Sequence, residues 1–332
     1  MHLRVKRERA EELRQKLLED GILDSGRKIL SDGDSVLIPI TKKIESPGTE
    51  IVEIPGEPKE QKPSSLKEAL ADTLTEDELE LVPTSFDIIG DIAILEIPDE
   101  LESKKKAIGE ALLTTFKNIK TVAAKKTKVG TEYRTRELDI IAGEPRKETE
   151  HREHGCIYRL NVETCYFSPR LGSERLRVAK QCKPGERILV MFAGVGPYAV
   201  LIAKKSKPKE ICAIELNPEA VRYMEENSRI NKVNIHAIQG DVKKETPKLG
   251  EFDRILMPLP KDAGNFLDVT LPALKKGGTI YFYDFAHNEE ESIERVKEIC
   301  ADLKQKIEVL NAVKCGSYSP CMYRICVDFR KI

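Results

Sequence analysis

The chain has no tryptophan, no closely spaced cysteine pair and no long apolar run, and each absence narrows its class. Because no stretch of about twenty apolar residues occurs, no membrane-spanning helix is predicted. The charged start, Met1 to Arg7, lacks the apolar core of a secretion signal, so a soluble, cytoplasmic protein is expected. None of the eight cysteines forms a C-x-x-C pair, which argues against zinc and predicts no bound metal. The cysteines are expected to be mostly buried thiols.

Net charge is also nearly absent, at −1, but this average hides a local excess of positive charge. Between Lys104 and Arg136, lysines and arginines far outnumber acids. A run of this kind is more often a solvated face than a nucleic-acid site, unless another feature implicates RNA. The basic run therefore supports RNA binding only in combination with the motifs described below.

A length of 332 residues predicts two or three domains. The pattern divides the chain into a small α+β unit over residues 1–58, a linker over 59–65, a second α+β unit over 66–152 and a last domain over 153–332. The linker is inferred from its Pro, Glu and Lys content. In the two smaller units, the predicted elements are strand Leu3–Val5, helix Ala10–Leu18, strands near Lys28–Leu30 and Ser35–Ile40, helix Leu66–Leu74, strands within Ile88–Leu95, helix Lys105–Thr115 and strand Thr121–Ala124.

From about Ile157 onward, strands alternate with helices, which predicts a doubly wound parallel sheet. The end of the chain breaks this rule. Two strand-like segments, Lys306–Val313 and Met322–Phe329, flank a turn-rich stretch, so an antiparallel hairpin is expected to close the sheet.

A glycine-rich turn is the most informative motif of this last domain. The apolar run that begins at Arg187 ends in Gly194 and Gly196, whose missing side chains permit a sharp turn and close approach to a ligand. Pro197 is expected to open the next helix. A second apolar run then brings Glu215 to a strand end, where an acid can accept the hydroxyls of a ribose.

Spacing alone leaves the nucleotide undecided, because this turn also fits the G-x-G-x-x-A pattern of dinucleotide enzymes. Two later features favour another class. Asp241 follows a third strand, and a proline-rich turn, Met257–Pro260, follows a fourth. This succession is similar to Rossmann-like class I methyltransferases that use S-adenosyl-L-methionine. That similarity implies that Glu215 holds the ribose, that Asp241 faces the adenine amino group, and that the last turn faces the methyl acceptor.

The segments Tyr133–Glu144 and Tyr166–Arg175 make the resemblance more specific. Together with the Phe-Ala-Gly-Val-Gly-Pro turn and the three-part layout, they resemble the archaeal and eukaryotic tRNA (guanine-37-N1)-methyltransferase family. The resemblance implies methylation beside the anticodon, and a tRNA partner contacted at both the anticodon loop and the body. A monomer is favoured.

Methylation of guanine N1 requires removal of its proton and stabilisation of charge at O6. Glu174 is the predicted base, and Arg134 is the predicted cation for O6, because a guanidinium presents fixed donors to a developing oxyanion. Alternatively, Glu174 and its neighbour Arg175 simply begin an exposed helix. By resemblance, Arg175 holds the methionine carboxylate. The predicted cofactor-binding residues are Tyr166, Arg175, Phe192, Ala193, Gly194, Gly196, Glu215, Leu216, Asp241, Val242 and Pro258; the predicted RNA-binding residues are Arg136, Arg170 and Lys261.

One departure from the family stands at Pro258, where most relatives carry an asparagine. The change removes a side-chain amide and a backbone donor. It resembles an archaeal subgroup in which some members also methylate a tricyclic wyosine precursor. Three other functions stay open: a wyosine-pathway aminocarboxypropyl transferase, a dinucleotide-dependent oxidoreductase and a non-catalytic RNA-binding protein.

Overall fold

The structure is a computed structural model that describes residues 1–58, 63, 65–126 and 135–332. The chain forms two compact units, Met1–Glu68 and Ala69–Ile332. In the described residues, no helix has the length and apolar character needed to cross a bilayer. All eight cysteines are free, and six of them are buried, as expected for thiols that serve packing.

The first unit is a four-stranded antiparallel sheet covered by one helix, in the strand order β2-β3-β1-β4. Its elements are β1 (His2–Lys6), α1 (Ala10–Glu19), β2 (Leu30–Asp32), β3 (Ser35–Pro39) and β4 (Thr49–Val52). Leu3 and Val5 point to one face of β1 and pack with Leu17 of α1. Alternation along the strand and helical spacing therefore meet in one small core.

The second unit begins with another four-stranded sheet, in the order β5-β6-β7-β8. The unit boundary falls inside α2 (Leu66–Leu70). The elements that follow are α3 (Glu76–Leu81), β5 (Asp87–Ile89), β6 (Ile92–Leu95), α4 (Lys105–Thr115), β7 (Thr121–Lys125) and β8 (Leu138–Gly143). The helix predicted over Leu66–Leu74 is wrong in extent, and α3 was not predicted. Thr75 explains the break, because it forms a capping box with Glu78 and so starts a new helix.

A two-stranded hairpin of β9 (Glu148–Glu153) and β10 (Cys156–Asn161) follows. The boundary predicted between residues 152 and 153 falls inside β9. The outer edge of β10 is closed by side chains of α7 (Pro218–Asn231): Asn227 bonds the N–H and C=O of Arg159, and Asn231 bonds those of Ile157. These amides replace a neighbouring strand, so the hairpin packs with the last domain.

The last domain contains a seven-stranded sheet in the order β13-β12-β11-β14-β15-β17-β16. Besides α7, it is built from α5 (Gly172–Gln181), β11 (Arg187–Val190), α6 (Pro197–Ser206), β12 (Glu210–Glu215), β13 (His236–Gln239), α8 (Val242–Glu245), β14 (Phe252–Met257), α9 (Leu267–Thr270), β15 (Leu274–Ala286), α10 (Glu289–Asp302), β16 (Ile307–Ser319) and β17 (Met322–Lys331).

Strands β11 to β15 are parallel, and β16 and β17 close the sheet as an antiparallel hairpin. This confirms the predicted α/β class. Successive residues of the central strand β11 alternate between two cores, with Ile188 and Val190 on one face and Leu189 on the other. All carboxyl ends of the parallel strands meet at one edge of the sheet, where ligand sites of open α/β sheets form.

Candidate functional site

The turn after β11 combines a packing role with a binding role. Phe192, Gly194 and Gly196 all have positive φ angles. A Cβ atom on Gly196 would lie 2.8 Å from the Met224 side chain, so this glycine permits close packing of α6 on α7. The N–H of Gly194 instead donates to the Glu215 carboxylate at 2.7 Å. The first glycine of the motif thereby connects two strand ends.

Glu215 ends β12 and is fixed mainly by backbone donors. Its second oxygen accepts a hydrogen bond from the N–H of Asn217 at 2.9 Å. Burial raises the pKa of this carboxyl above its ordinary value. Asp241 occupies the equivalent place after β13, where one of its oxygens caps α8 by accepting from Lys243 N–H at 2.7 Å. The two acids thus stand side by side at the carboxyl edge.

A cavity of about 320 Å³ opens at this edge, a size suited to a small ligand. Within the described residues, eight of the eleven predicted cofactor-binding positions line it, and Arg175, Ala193 and Gly196 do not. Its lining consists of Tyr166, Phe192, Gly194, Glu215, Leu216, Asn217, Ala220, Gly240, Asp241, Val242, Pro258, Leu259 and Phe266.

Five of these lining residues are not among the cofactor-binding residues predicted from the sequence: Asn217, Ala220, Gly240, Leu259 and Phe266. Two carried a signal in the sequence. Asn217 precedes a proline that starts a helix, a typical N-cap pattern, and its side chain caps α7. Gly240 directly precedes Asp241. Phe266 carried no signal, because only the folded chain places its ring 4.9 Å from that of Phe192.

Glu174 does not line the cavity but lies in a buried network of charged and polar side chains, and it is only 6% exposed. Arg177, one turn further along α5, donates to both of its carboxylate oxygens, at 2.7 and 2.9 Å. The hydroxyl of Tyr283 donates to it at 2.7 Å. Arg177 is shared with Asp328 on β17, at 2.5 and 2.9 Å. The alternative of an exposed first turn is therefore wrong for this side chain.

Arg175 is held in a separate buried ion pair and is 2% exposed. Its guanidinium donates to both oxygens of Glu153, at 2.8 and 2.5 Å, and to the Ser168 carbonyl at 3.1 Å. Burial acts to raise the pKa of Glu153, but hydrogen bonds and positive charge from Arg175 and His151 outweigh it and lower that pKa to about 2. The predicted contact of Arg175 with a carboxylate ligand requires this pair to open.

None of the three predicted RNA-binding residues lines the cavity. Arg170 is 63% exposed in side chain and pairs with Asp87 at 2.7 Å. Arg136 and Tyr166 both line a small cavity of about 20 Å³, so Tyr166 separates it from the larger one. Lys261 is exposed after the turn that follows β14. Arg134 lies outside the described residues, and its role stays a prediction.

One trio in the described part of the chain could offer ligands to a metal: Glu210, Cys212 and His236. Glu210 already receives a hydrogen bond from Arg187 at 2.6 Å. Burial raises the pKa of the Cys212 thiol to about 11, which disfavours the thiolate that metals bind. The present contacts of the trio therefore favour a structural role.

Three family models match consecutive parts of the chain. The tRNA methyltransferase 5 N-terminal domain matches residues 3–48, the TYW2 N-terminal domain matches 66–146, and the TRM5/TYW2 methyltransferase domain matches 149–310. The last of these begins at the hairpin β9–β10, in agreement with its packing on α7.

Curated relatives match along most of the chain. The tRNA (guanine(37)-N(1))-methyltransferase Trm5b of Pyrococcus abyssi is 41% identical over 99% of this chain and 98% of its own. The tRNA (guanine(37)-N(1))/4-demethylwyosine(37)-methyltransferase Taw22 of Nanoarchaeum equitans is 34% identical over 68% and 91%. The tRNA(Phe) (4-demethylwyosine(37)-C(7)) aminocarboxypropyltransferase of Pyrococcus horikoshii is 32% identical over 80% and 95%.

Solved structures show the same likeness. A complex of aTrm5 and tRNALeu is 32% identical, covers 100% of this chain and 99% of its own, and has a TM-score of 0.84. Methanocaldococcus jannaschii TYW2 in complex with AdoMet is 27% identical over 75% of this chain and all of its own, with a TM-score of 0.57. Given a 41% identical relative that matches along nearly its whole length, the chain belongs to the archaeal Trm5 family, which also includes wyosine-pathway members.

Proposed function

We propose that this chain transfers a methyl group from S-adenosyl-L-methionine to N1 of guanosine 37 in tRNA. The observation that carries the proposal is the cavity at the carboxyl edge, where two acids from neighbouring strands face a space bordered by the proline-rich turn. The Pyrococcus abyssi relative, named for this reaction, supports the choice of substrate.

The cavity residues fit this cofactor. When bound, S-adenosyl-L-methionine supplies a methyl group attached to a sulfonium sulfur. That sulfur departs readily as a neutral thioether when the methyl group is transferred. Glu215 is held by two backbone N–H donors and has capacity left to accept ribose hydroxyls. The Asp241 carboxylate uses one oxygen for its helix cap and can accept from an adenine amino group. Phe192, Leu216 and Phe266 offer apolar surface to a planar ring.

The acid–base chemistry is assigned to Glu174, which is not among the lining of the cavity, and to Arg134. In the proposed reaction, Glu174 takes the proton from N1, and Arg134 stabilises the negative charge at O6. Glu174 must first exchange its hydrogen bonds with Arg177. Asp328 makes that exchange feasible, because it keeps the Arg177 guanidinium paired when Glu174 turns away. Arg175 would similarly keep its hydrogen bond to the Ser168 carbonyl when its guanidinium exchanges Glu153 for a carboxylate ligand.

RNA contacts are assigned to Arg136, Arg170 and Lys261 for the anticodon loop, and to residues 1–58 for the tRNA body. Exposed arginine and lysine side chains suit phosphate contacts. A tRNA substrate supports a cytoplasmic location, and a monomer is favoured. Deleting residues 1 to about 60 should weaken tRNA binding without abolishing cofactor binding, as equilibrium binding of each ligand would measure.

The decisive experiment uses purified enzyme, unmodified tRNA with guanosine or adenosine at position 37, and labelled methyl donor. Methyl transfer to N1 of guanosine 37 alone is expected. No transfer to either tRNA would end the proposal. The mass of the product nucleoside separates methyl transfer from transfer of an aminocarboxypropyl group, which is the alternative that the Pyrococcus horikoshii relative raises.

A second activity, methylation of the tricyclic wyosine precursor at the same position, is favoured by one observation. Pro258 and Leu259 line the cavity, and the Leu259 N–H is used within the turn by the Met257 carbonyl at 2.7 Å. An apolar turn without free donors suits a larger base that presents fewer polar groups. If tRNA carrying the tricyclic base receives no labelled methyl group, this activity is excluded.

A further inference from the structure

Three side chains, two from the closing hairpin and one from the neighbouring strand β15, form a surface that the proposed reaction does not use. The ring of Tyr318 stacks on that of Phe285, with centroids 4.1 Å apart and planes 31° from parallel. The guanidinium of Arg324 lies 5.6 Å from the Phe285 centroid. We refer to Phe285, Tyr318 and Arg324 as the aromatic platform. Tyr318 is 66% exposed, so one face of its ring packs on Phe285 and the rest meets solvent.

The aromatic platform stands at the same edge of the sheet as the cofactor cavity. In the parallel pair of β14 and β15, Met257 is level with Phe282, so Phe285 lies three residues past the point where the proline-rich turn begins. The pairing of Ser317 and Ala286 with Tyr323 brings the tip of β16 to that level. His287 fixes the tip through a contact between its Nδ1 and the Cys321 carbonyl at 2.7 Å.

Arg324 connects the aromatic platform to the cavity. Its Nη2 donates to the hydroxyl of Tyr166 at 3.4 Å, and Tyr166 lines the cavity. Its Nε is buried without a hydrogen-bond partner among the described residues. A buried guanidinium donor is costly to leave unsatisfied, so it favours an acceptor from outside the described part of the chain.

Open ring surface, a stacked aromatic and an unsatisfied guanidinium donor together match the chemistry of a nucleotide. Bases stack on aromatic rings with little sequence preference, while phosphate and base oxygens accept from arginine. Lys314, 4.5 Å from the ring of Tyr323, lies on the same hairpin and pairs with Glu289 at 3.4 Å. We infer that the aromatic platform stacks a base that neighbours the methylated guanosine in the tRNA. This rests on the proposed function, because tRNA is the substrate assigned there.

The absence of tryptophan from the chain gives this inference a direct optical test. Tyr318→Trp introduces a single indole into the aromatic platform. Leu310→Trp is the matched control, because Leu310 is also exposed on β16 but lies eight residues away. Titration with tRNA is expected to quench the emission of Tyr318→Trp strongly and that of Leu310→Trp little, since only a stacked base contacts the indole closely.

The contribution of the aromatic platform to tRNA affinity is measured with alanine variants. Tyr318→Ala is expected to raise the Kd for tRNA by roughly 5- to 100-fold, Tyr318→Phe to leave it nearly unchanged, and Leu310→Ala to have little effect. An abasic nucleotide at position 36 or 38 should weaken binding to the wild-type chain and add nothing to the loss in Tyr318→Ala. Cofactor affinity should be the same in all of these variants.

Equal quenching at residues 318 and 310, or equal tRNA affinity of Tyr318→Ala and Leu310→Ala, would overturn the inference. A Tyr318→Trp emission that changes with protein concentration before any tRNA is added would overturn it too, because a second copy of the chain would then cover the ring. Failure of the proposed function is seen separately, as absence of methyl transfer to guanosine 37 by the wild-type chain.

Discussion

Glu215 and Glu174, the two acids with proposed roles at the cofactor and at the methyl acceptor, are held in different ways. Glu215 is fixed by the backbone N–H groups of Gly194 and Asn217, which lie in the turns after β11 and β12. Glu174 is fixed by the side chains of Arg177 and Tyr283. Backbone donors cannot leave without unfolding the turn, whereas side-chain donors can rotate away. In the proposed reaction, the cofactor-binding acid is therefore preorganised, whereas the base must exchange its partners.

The largest effect is expected from Glu174→Gln. Loss of a positioned base should lower single-turnover methyl transfer by about 10²- to 10⁴-fold, while cofactor affinity changes little because Glu174 does not line the cavity. Rapid-quench kinetics and equilibrium dialysis measure the two quantities. Glu225→Gln, on an exposed position of α7, serves as the control. Near-normal chemistry in Glu174→Gln would show that another group is the base.

The buried pair of Arg175 and Glu153 predicts a specific pH dependence of stability. The pKa of Glu153 is lowered from 4.5 to about 2 in the folded chain, so its contribution is fully present above pH 4.5 and is lost as pH falls through about 2. The shift corresponds to about 3 kcal/mol. Denaturant unfolding between pH 2 and 6 should show this loss for the wild-type chain.

Glu153→Gln is the matching variant for that pH series. Its free energy of unfolding should be lower than that of the wild-type chain at pH 6, because Arg175 is left buried and unpaired. The gap between the two chains should narrow as the pH approaches 2. A constant gap across the series would contradict the assigned pKa.

A smaller effect is expected from Glu215→Gln, which tests the acid that is held by backbone N–H groups. An amide accepts more weakly than a carboxylate and brings an N–H group toward backbone donors, so cofactor Kd should rise by roughly 10- to 100-fold. The affinity for tRNA should not change. Glu210→Gln, at the opposite end of β12, is the control. Unchanged cofactor affinity would remove Glu215 from the proposed ribose contact.

Asp328→Asn should have the smallest effect and tests whether Glu174 is released by exchange. With a weaker second partner, Arg177 should remain longer on Glu174, and the methyl-transfer rate should fall by roughly 3- to 10-fold. Unfolding curves control for lost stability. An increased methyl-transfer rate would show that Asp328 holds Arg177 in place on Glu174 rather than accepting its hydrogen bonds when Glu174 is released.

Much of the fold followed from local patterns. The helix over Lys105–Thr115, the proline that opens α6 and the closing hairpin were all predicted, because spacing and turn residues act over short distances. The end of the Leu66 helix was not, since a capping box five residues beyond Leu70 competes with continued helical spacing. Boundaries therefore depended on single side-chain hydrogen bonds that the periodicity does not report.

The sequence by itself determined the order of the strands' chemistry: a glycine turn after β11, an acid after β12, an acid after β13 and a proline turn after β14. Parallel strands bring such strand ends together whatever else the chain does. Only the tertiary structure decided which charges meet, because Arg177 and Asp328, or Arg175 and Glu153, are far apart along the chain and pair through the packing of α5. The antiparallel pairing of β15, β17 and β16 likewise brought Tyr318 onto Phe285.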